Sequence, residues 1–358
     1  GVKDIAKLLV DYNFDDFINS PGFLYKSIND HHQLRWLADG VNRMALGCIM
    51  NSLWDAWAKI EEKPMWKLLI DLSPEQIVES IDWRYMLDAL TKEEAMEILL
   101  SGIEKKDDLE SSINLKGPKA YSTAGWLGLT DEEIHSTIKD MQSQGFDCFK
   151  MKVGQDLRHD KERLSFIRNI IGDNSKLMVD CNQVWGVDEA IEYMTELKDF
   201  RPLWIEEPTA RDDVQGHLKI SKALKKFGIK VASGEQVPSP VIFKQLLQSG
   251  AIGYSQIDAS RLGGVNDVMA VILLSKKFNI PVCPHGGGIG LCNMIIHYAI
   301  WDQVMVAKHS ENQVVEYLEF LQDEVFINPI QVKDGHYVIP KVPGWGLEMH
   351  EEFFKSHI

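Results

Sequence analysis

The chain has 358 residues, of which 45% are hydrophobic and 25% are charged, and its formal net charge at pH 7 is -15. This balance is typical of a globular protein, and the length allows about two domains or one β/α barrel with an additional region. The negative charge, with no run rich in lysine and arginine, argues against a nucleic-acid-binding protein. No apolar stretch reaches the length of a membrane span, so a membrane protein is also disfavoured.

The first part of the chain, residues 1–118, predicts helices. Between 45 and 58 apolar side chains recur at helical spacing, at Ala45, Ile49, Leu53, Trp54 and Trp57. Such spacing places them on one face of a helix, with charged residues on the other face. Because no strand-like alternation interrupts this region, we expect it to be helical throughout.

From about residue 119, short strand-like runs alternate with polar, helix-like segments. The pattern occurs eight times, in the runs 120–124, 148–153, 176–182, 202–208, 230–236, 254–259, 280–285 and 314–317. Strands that alternate with helices form parallel sheets with right-handed crossovers, and eight units favour closure into a barrel. An open doubly wound sheet is the alternative, although the G-x-G-x-x-G and P-loop motifs of such sheets are missing. The tail predicts a short hairpin at 331–340 that returns to the helical region.

Almost every strand-like run ends in a polar or ionisable residue. These residues are Lys150, Lys152, Asp180, Asn182, Glu206, Glu235, Asp258, His285 and Glu316. In a β/α barrel this end of the strands builds the active site. Asp180, Glu206 and Glu235 end consecutive strands, and converging carboxylates repel one another unless a hard cation such as Mg²⁺ neutralises them. The pattern therefore predicts a metal site, against the alternative of scattered, solvated acids. Only one of Glu206 and Glu207 can face inward, and the strand pattern leaves open which one.

Lys150 and Lys152 are two residues apart in the sequence and should point to the same side of their strand. If this side is the barrel interior, burial, the second amine and a metal ion all lower the pKa of a lysine toward neutrality. One of the two lysines could then act as a general base. A lysine pair that faces solvent is the alternative.

His285 ends the seventh run and should lie beside Asp258, which ends the sixth. An aspartate bound to one imidazole nitrogen fixes the tautomer and leaves the other nitrogen free for proton transfer. The glycines at 286–288 would let a ligand approach closely, which favours this interpretation over a core histidine. Glu316 either donates a hydrogen bond to an enolate oxygen in its protonated form, orients the substrate, or makes a structural hydrogen bond.

The other histidines and the cysteines are interpreted as structural. His31, His32 and His297 have no converging partners in the pattern, so we expect ordinary surface or core positions. The five cysteines form no C-x-x-C pair and are expected to be free thiols, at Cys48, Cys148, Cys181, Cys283 and Cys292. A reducing compartment, cytoplasmic or mitochondrial, fits this usage.

Together these motifs resemble the enolase superfamily, in particular its mandelate-racemase-like subgroup and, most closely, the L-fuconate dehydratases. The matching segments are Phe-Lys-Met-Lys-Val-Gly at 149–154, Met-Val-Asp-Cys-Asn-Gln at 178–183, Trp-Ile-Glu-Glu-Pro at 204–208, Gly-Glu-Gln at 234–236, Gln-Ile-Asp at 256–258, Pro-His-Gly-Gly at 284–287 and Val-Glu-Tyr at 315–317. The resemblance implies an α/β fold, a modified TIM-type (β/α) barrel with an α+β cap formed from both termini. The expected division is a cap at 1–118, a barrel at 119–322 and a segment at 323–358 that returns to the cap.

The resemblance also implies a role for each strand-end residue. Mg²⁺ would be held by Asp180, Glu206 and Glu235. The catalytic residues would be Lys152 as the base, Lys150 beside it, and His285 with Asp258 opposite. Substrate would also contact Lys150, Asn182 and Glu316.

The implied activity is dehydration of an acid sugar, with L-fuconate converted to 2-keto-3-deoxy-L-fuconate. A dehydratase or racemase for another acid sugar is one alternative. A catalytically silent binding or regulatory protein is another, since the family's first cap strands and mobile loop are expected to lie upstream of Gly1. The expected partners are a small acid sugar and further copies of the chain, with neither nucleic acid nor membrane.

Overall fold

The computed structural model describes residues 1–37, 39–319 and 322–357. The first region is helical, as predicted. Its helices are α1 (Val2–Ala6), α2 (Phe14–Asn19), α3 (Pro21–Asn29), α4 (Val41–Ile60), α5 (Met65–Asp71), α6 (Pro74–Glu79), α7 (Lys92–Ile103) and α8 (Lys106–Leu115), with 3₁₀ turns at Lys7–Leu9 and Leu34–Trp36.

The longest of these helices, α4, carries the predicted apolar face. Ala45, Ile49, Trp54 and Trp57 are buried, whereas Leu53 is half-buried. The rings of Trp54 and Trp57 lie 5.1 Å apart and pack edge-on against the ring of Phe17 in α2. Burial of this face against neighbouring elements, more than helix propensity, stabilises α4.

A curled parallel sheet follows, and within the described ranges it has seven strands in the order β6-β5-β4-β3-β2-β1-β7. The strands are β1 (Ala120–Gly125), β2 (Cys148–Lys152), β3 (Lys176–Asp180), β4 (Trp204–Glu206), β5 (Lys230–Ser233), β6 (Tyr254–Ser255) and β7 (Val315–Glu316). The helices that alternate with them are α9 (Asp131–Ser143), α10 (Leu157–Ile171), α11 (Val187–Leu197), α12 (Val214–Leu224), α13 (Pro240–Ser249), α14 (Val265–Lys277) and α15 (Leu291–Trp301). Short 3₁₀ turns at Lys198–Phe200 and Lys225–Phe227 extend α11 and α12, and a π-helical turn, Asp302–Val306, extends α15. The prediction of an α/β fold with parallel strands is therefore confirmed.

The predicted run 280–285 differs from the expectation of eight strands. All its residues are described, and it makes only a single bridge, from Val282 to Ser255 of β6. Pro281 and Pro284 have no N–H to donate, so a regular ladder cannot form. The run still joins its neighbours, because Cys283 N donates to Ser255 O at 2.9 Å and Glu316 N donates to Pro284 O at 3.3 Å. Since β7 pairs with β1, these bonds close the ring.

The C-terminal part contains the predicted hairpin, with β8 (Val332–Lys333) antiparallel to β9 (His336–Tyr337), and two short helices, α16 (Gln322–Val325) and α17 (Glu351–His357). It contacts the first region: Trp345 N donates to Asp55 Oδ1 at 2.8 Å, and Met65 N donates to Gly344 O at 2.9 Å. In the part of the chain that the structure describes, no helix has the length and apolar character needed to cross a membrane.

Candidate active site

The strand register brings the polar strand ends to one level. Lys152 pairs with Asp180 between β2 and β3, and Asp180 pairs with Glu206 between β3 and β4. Paired residues of a sheet point to the same face, so these side chains enter the barrel together. The ionisable strand ends that the sequence predicts to converge therefore meet at the mouth of the barrel.

Three buried carboxylates converge at this mouth. Asp180, Glu206 and Glu235 each offer one oxygen, and these oxygens lie within 4.8 Å of one another. Glu235 reaches the group because of Gly234, whose φ of +148° breaks the strand alternation. A Cβ at Gly234 would lie 2.4 Å from the carbonyl oxygen of Gln256, so only glycine fits there.

The electrostatics of the three carboxylates fit a hard divalent cation. Burial and the charge of Glu206 raise the pKa of Asp180, and burial raises the pKa of Glu235. Burial would also raise the pKa of Glu206, but Lys150 and Lys152 outweigh it and lower that pKa. Mg²⁺ binds through oxygen ligands and would remove the mutual repulsion. Asp180, Glu206 and Glu235 are thus a suitable donor set for this ion.

The structure answers which of the two adjacent glutamates faces the barrel. Glu206 points inward, whereas Glu207, with a φ of +44°, accepts a hydrogen bond from Gln183 Nε2 at 2.8 Å. Burial and the charge of Glu235 raise the pKa of Glu207 to about 8. Glu207 therefore lies beside the triad and is not one of its members.

Both lysines of β2 point into the barrel, so the solvent-facing alternative is wrong. Lys150 Nζ lies 2.7 Å from Glu206 Oε1 and 2.8 Å from Glu316 Oε1, and Lys152 Nζ contacts Asp180 Oδ2. The expected lowering of the lysine pKa is wrong for Lys150. Burial does act to lower its pKa, but Glu206 and Glu316 outweigh burial and hold it well above the usual value.

His285 is bound by Asp258 on one side and faces the carboxylates on the other. Its Nδ1 lies 2.9 Å from Asp258 Oδ2, and its Nε2 lies 3.3 Å from Glu235 Oε2. Asp258 is itself fixed by Ser260, whose N and Oγ donate to Oδ1 at 2.7 and 2.6 Å. Burial would lower the pKa of His285, but the bond to Asp258 and the charges of Glu316 and Glu235 raise it to about 9. The ring is thus protonated at neutral pH, with Nε2 directed at the carboxylates.

Glu316 is held in its ionised form. Thr123 Oγ1 donates to Oε1 at 3.3 Å and Gly286 N donates to Oε2 at 2.8 Å. Burial opposes ionisation, but Lys150 and His285 outweigh it and lower the pKa of Glu316. A protonated Glu316 that donates to an enolate is therefore not what this arrangement favours, and orientation of the substrate stays a prediction.

Asn182 lies at the rim of the same mouth. Its side chain is exposed, and its backbone N donates to Asp180 Oδ1 at 2.8 Å from a left-handed conformation with a φ of +47°. The position is compatible with a contact to substrate, which also stays a prediction.

Two residues that the sequence pattern does not predict as site residues support Glu206. Trp204 Nε1 and Gln256 Nε2 donate to Glu206 Oε2 at 3.1 and 2.7 Å, while Lys150 occupies Oε1. Trp204 is two residues before Glu206 on β4 and so shares its inward face. That spacing is a signal which could have identified it.

The residues expected to be structural lie outside the site. His297 is buried and accepts a hydrogen bond from Trp66 N at 3.0 Å, whereas His31 and His32 lie at the surface. All five cysteines are among the described residues and are free thiols, four of them buried.

A family model described as Enolase C-terminal domain-like matches residues 133–353 of the chain. The chain belongs to the enolase superfamily. Among its relatives in this superfamily, mitochondrial enolase superfamily member 1 of Homo sapiens is 44% identical over 360 residues, which cover 100% of this chain and 81% of the relative. The crystal structure of that human protein has a TM-score of 0.97 and 43% identity, and the match covers 99% of this chain and 81% of that one.

Two further members of the superfamily carry names that state an activity. L-galactonate dehydratase of Hypocrea jecorina is 40% identical over 358 residues, which cover 98% of this chain and 79% of that enzyme. The structure of L-talarate/galactarate dehydratase from Salmonella typhimurium LT2, liganded with Mg and L-lyxarohydroxamate, has a TM-score of 0.74 over 99% of this chain and 75% of that one. At 23% identity this second likeness shows the enolase-superfamily fold alone.

Proposed function

We propose that the chain is a Mg²⁺-dependent acid-sugar dehydratase that converts L-fuconate to 2-keto-3-deoxy-L-fuconate. The observation that carries the proposal is a lysine and a histidine that contact the two outer members of a carboxylate triad. Lys152 Nζ contacts Asp180, and His285 Nε2 lies 3.3 Å from Glu235 Oε2. Two observations support this assignment over a silent binding protein: the chain belongs to the superfamily, and its full set of ionisable strand ends is present.

Asp180, Glu206 and Glu235 would hold the Mg²⁺ ion. When bound, this ion would neutralise the negative charge that develops on the substrate carboxylate as the α-carbon loses its proton. Lys150 Nζ lies 2.7 Å from Glu206 and 2.8 Å from Glu316, so it is fixed at the side of the site where it can bind the same carboxylate group. Asn182, exposed at the rim, would contact a hydroxyl of the sugar chain.

Lys152 and His285 would carry out the two proton transfers. Lys152 Nζ, as a neutral amine, would take the α-proton of the acid sugar. His285 Nε2 would give its proton to the β-hydroxyl, which leaves as water, and the enol product would tautomerise to the 2-keto-3-deoxy acid. The pKa of His285, raised to about 9 against the lowering effect of burial by its bond to Asp258, supports a ring that starts protonated. Asp258 would keep the Nδ1 proton in place throughout.

The choice of L-fuconate rests on the resemblance and on one relative. L-fuconate is 6-deoxy-L-galactonate, and the relative from Hypocrea jecorina is named for L-galactonate. The two compounds share the configuration at C2 and C3, where the reaction takes place, and differ only at C6. They are therefore the first pair of substrates to compare.

The test is to incubate the protein with L-fuconate, L-galactonate and galactarate, with Mg²⁺ or with EDTA, and to measure 2-keto-3-deoxy acids by ¹H NMR. We expect keto acid from L-fuconate at the highest kcat/KM, with Mg²⁺ only. Lys152→Ala, purified in parallel, is the control for contaminating activity. Keto acid from none of the three would contradict the proposal. Deuterium incorporation with inversion at C2 and no loss of water would favour a racemase instead.

We also propose that residues 1–118 and 323–358 form a cap on the barrel at 119–322. The hydrogen bonds from Trp345 to Asp55 and from Met65 to Gly344 support this division, because they join the two terminal regions to each other. Trp66 Nε1 adds a bond to Pro340 O at 2.8 Å.

A further inference from the structure

A buried arginine lies directly behind the strand ends that carry Lys152. Arg163 is on α10, the helix that follows β2, and its side chain is 4% exposed. Its Nη1 donates to Lys152 O at 3.0 Å, and its Nη2 donates to Gly125 O at 3.2 Å and to Trp126 O at 3.0 Å. One guanidinium thus binds the last backbone carbonyls of both β1 and β2.

The charge of Arg163 is compensated one helical turn earlier. Its Nη1 lies 3.6 Å from Asp160 Oδ1, and Asp160 Oδ2 accepts hydrogen bonds from Gly154 N and from Tyr193 OH, each at 2.7 Å. Burial of a charged group is unfavourable unless partners satisfy it, and here the carboxylate and the three carbonyls do so. The two side chains together fix the loop after β2 from Lys152 to Gly154.

The same guanidinium binds the backbone of an aromatic residue whose ring lies beside the proposed base. Lys152 Nζ lies 5.3 Å from the centroid of the Trp126 ring, within the range of a cation–π interaction. Trp126 is 38% exposed, so neighbouring residues enclose its ring only in part. Its backbone carbonyl is bound by Arg163, so the guanidinium fixes the backbone from which the ring extends toward the amine.

We propose that Arg163 is a positioning residue, which holds the Lys152 amine and the Trp126 indole in one arrangement at the mouth of the barrel. The inference rests on the proposed function in one respect, namely that Lys152 removes the α-proton. Proton abstraction requires near-contact geometry, and a displacement of about 1 Å can reduce a rate about 10²-fold. Lysine at position 163 would keep the charge but not the planar fork that binds two strands at once.

The same helix provides a matched control. Arg168 also binds three backbone carbonyls, with Nη1 donating to Gly172 O at 3.1 Å and Ser175 O at 2.9 Å, and Nη2 donating to Phe200 O at 2.7 Å. These carbonyls belong to the segments that precede β3 and β4, at the opposite end of the barrel from the mouth. Arg168→Lys therefore removes an equivalent fork without touching Lys152 or Trp126.

The experiment uses the full chain labelled with 5-fluorotryptophan, in which Trp126→Phe assigns the Trp126 signal among the 10 tryptophans by ¹⁹F NMR. In Arg163→Lys we expect the Trp126 signal to shift or broaden, and kcat on the acid sugar to fall about 10²-fold with KM and Mg²⁺ affinity changed less than about threefold. Arg168→Lys should change neither the Trp126 signal nor kcat. Lys152→Met should shift the Trp126 signal in an otherwise unchanged protein.

An unchanged Trp126 signal in Arg163→Lys, or an equal fall of kcat in Arg168→Lys, would overturn the proposal. If Arg163→Lys does not fold, Lys152→Met decides alone, because a constant Trp126 signal would show that the amine and the ring are not held together. The NMR signal needs no substrate. Shifts as expected in a protein that dehydrates no acid sugar would therefore refute the proposed function and leave the arrangement of Arg163, Trp126 and Lys152 standing.

Discussion

The interior of the barrel has two layers of side chains that come from the same strands and differ in chemistry. The lower layer is apolar and consists of Tyr121, Cys148, Met178, Trp204, Ala232, Tyr254, Cys283 and Val314. The upper layer lies two residues further along, at Thr123, Lys150, Asp180, Glu206, Gln256, His285 and Glu316. On β5 the position two residues after Ala232 is Gly234, which has no side chain. The next residue, Glu235, supplies the carboxylate at this level instead.

The comparison shows that burial alone does not decide the character of an inward position. Both layers are almost completely enclosed, yet in the upper one and beside it the carboxylates of Asp180, Glu206, Glu235, Asp258 and Glu316 face the basic groups of Lys150, Lys152 and His285. Three of these carboxylates, Asp180, Glu206 and Glu235, lie close enough together to share one cation. The lower layer supports this arrangement from beneath, most directly where Trp204 donates to Glu206.

The largest effect is expected from the two proposed proton-transfer residues, of which His285 belongs to the upper layer and Lys152 lies two residues beyond Lys150. Lys152→Ala should lower the rates of both α-proton exchange and dehydration about 10²- to 10⁴-fold, because it removes the amine proposed to take the α-proton. His285→Asn should lose dehydration to a similar extent while it keeps exchange of the α-proton with deuterated solvent. An NMR time course distinguishes the two, and the reverse pattern would contradict the assignment of base and acid.

The next effect concerns the two adjacent glutamates, of which only Glu206 belongs to the triad. Glu206→Gln should weaken Mg²⁺ binding by more than about 10²-fold, the upper range for residues that only support a ligand. Glu207→Gln is the matched control and should change the affinity far less, since Glu207 bonds to Gln183. Isothermal titration calorimetry measures both variants. Equal affinities would remove Glu206 from the metal site.

A smaller effect should follow from removing the bond that joins the layers. Trp204→Phe keeps an aromatic ring but loses the Nε1 donor to Glu206, so Mg²⁺ affinity should fall about 10-fold to 10²-fold. Trp345→Phe loses an equivalent buried donor, since Trp345 Nε1 donates to Asn51 O at 3.0 Å, but it lies between the terminal regions. Both variants should lose about 0.5–1.5 kcal/mol in free energy of unfolding from the lost hydrogen bond, since in Trp204→Phe the Nε2 of Gln256 still donates to Glu206 Oε2. A similar change of metal affinity in both would mean that Trp204 acts only through stability.

The smallest effect is expected at His297, a buried histidine whose pKa, unlike that of His285, is not shifted by charged neighbours. Burial lowers the pKa of His297 from 6.5 to about 3, so the folded protein keeps this ring neutral. Below about pH 6.5 the unfolded chain binds a proton there that the folded chain excludes, so this contribution to stability is present above pH 6.5 and is lost as the pH falls toward 3. The contribution should fall by at most about 1.4 kcal/mol per pH unit.

Urea unfolding at pH 7 and pH 5 tests this expectation. In His297→Gln, whose side-chain oxygen can still accept from Trp66 N, the difference between the two pH values should be smaller than in the unchanged protein. His135→Gln replaces an exposed histidine on α9 and serves as the control. The same pH difference in the unchanged protein and in His297→Gln would show that His297 does not contribute to the acid sensitivity.

Much of the barrel could be predicted from local patterns. The apolar spacing around Trp54 and Trp57 predicted α4, and the repeated strand-like runs predicted parallel strands from β1 to β7. The prediction of an eighth strand was wrong because Pro281 and Pro284 remove donors that a ladder requires. Both prolines are visible in the sequence, but the apolar, strand-like pattern around them predicts a strand.

The sequence by itself determined which side chains can meet at the mouth, because strand alternation and the parallel topology place the last inward residue of each strand at one end of the barrel. It could not determine the state of those side chains. Glu206 faces the barrel and Glu207 does not, and the left-handed conformation of Glu207 is not indicated by any sequence pattern. The pKa of Lys150 is raised, not lowered, because Glu206 and Glu316 outweigh burial. Likewise, the contact of Arg163 with the ends of β1 and β2 depends on distances between segments that are far apart in the chain. Charge interactions fall off with distance and depend on burial, so only the tertiary structure, which sets both, decides their sign and strength.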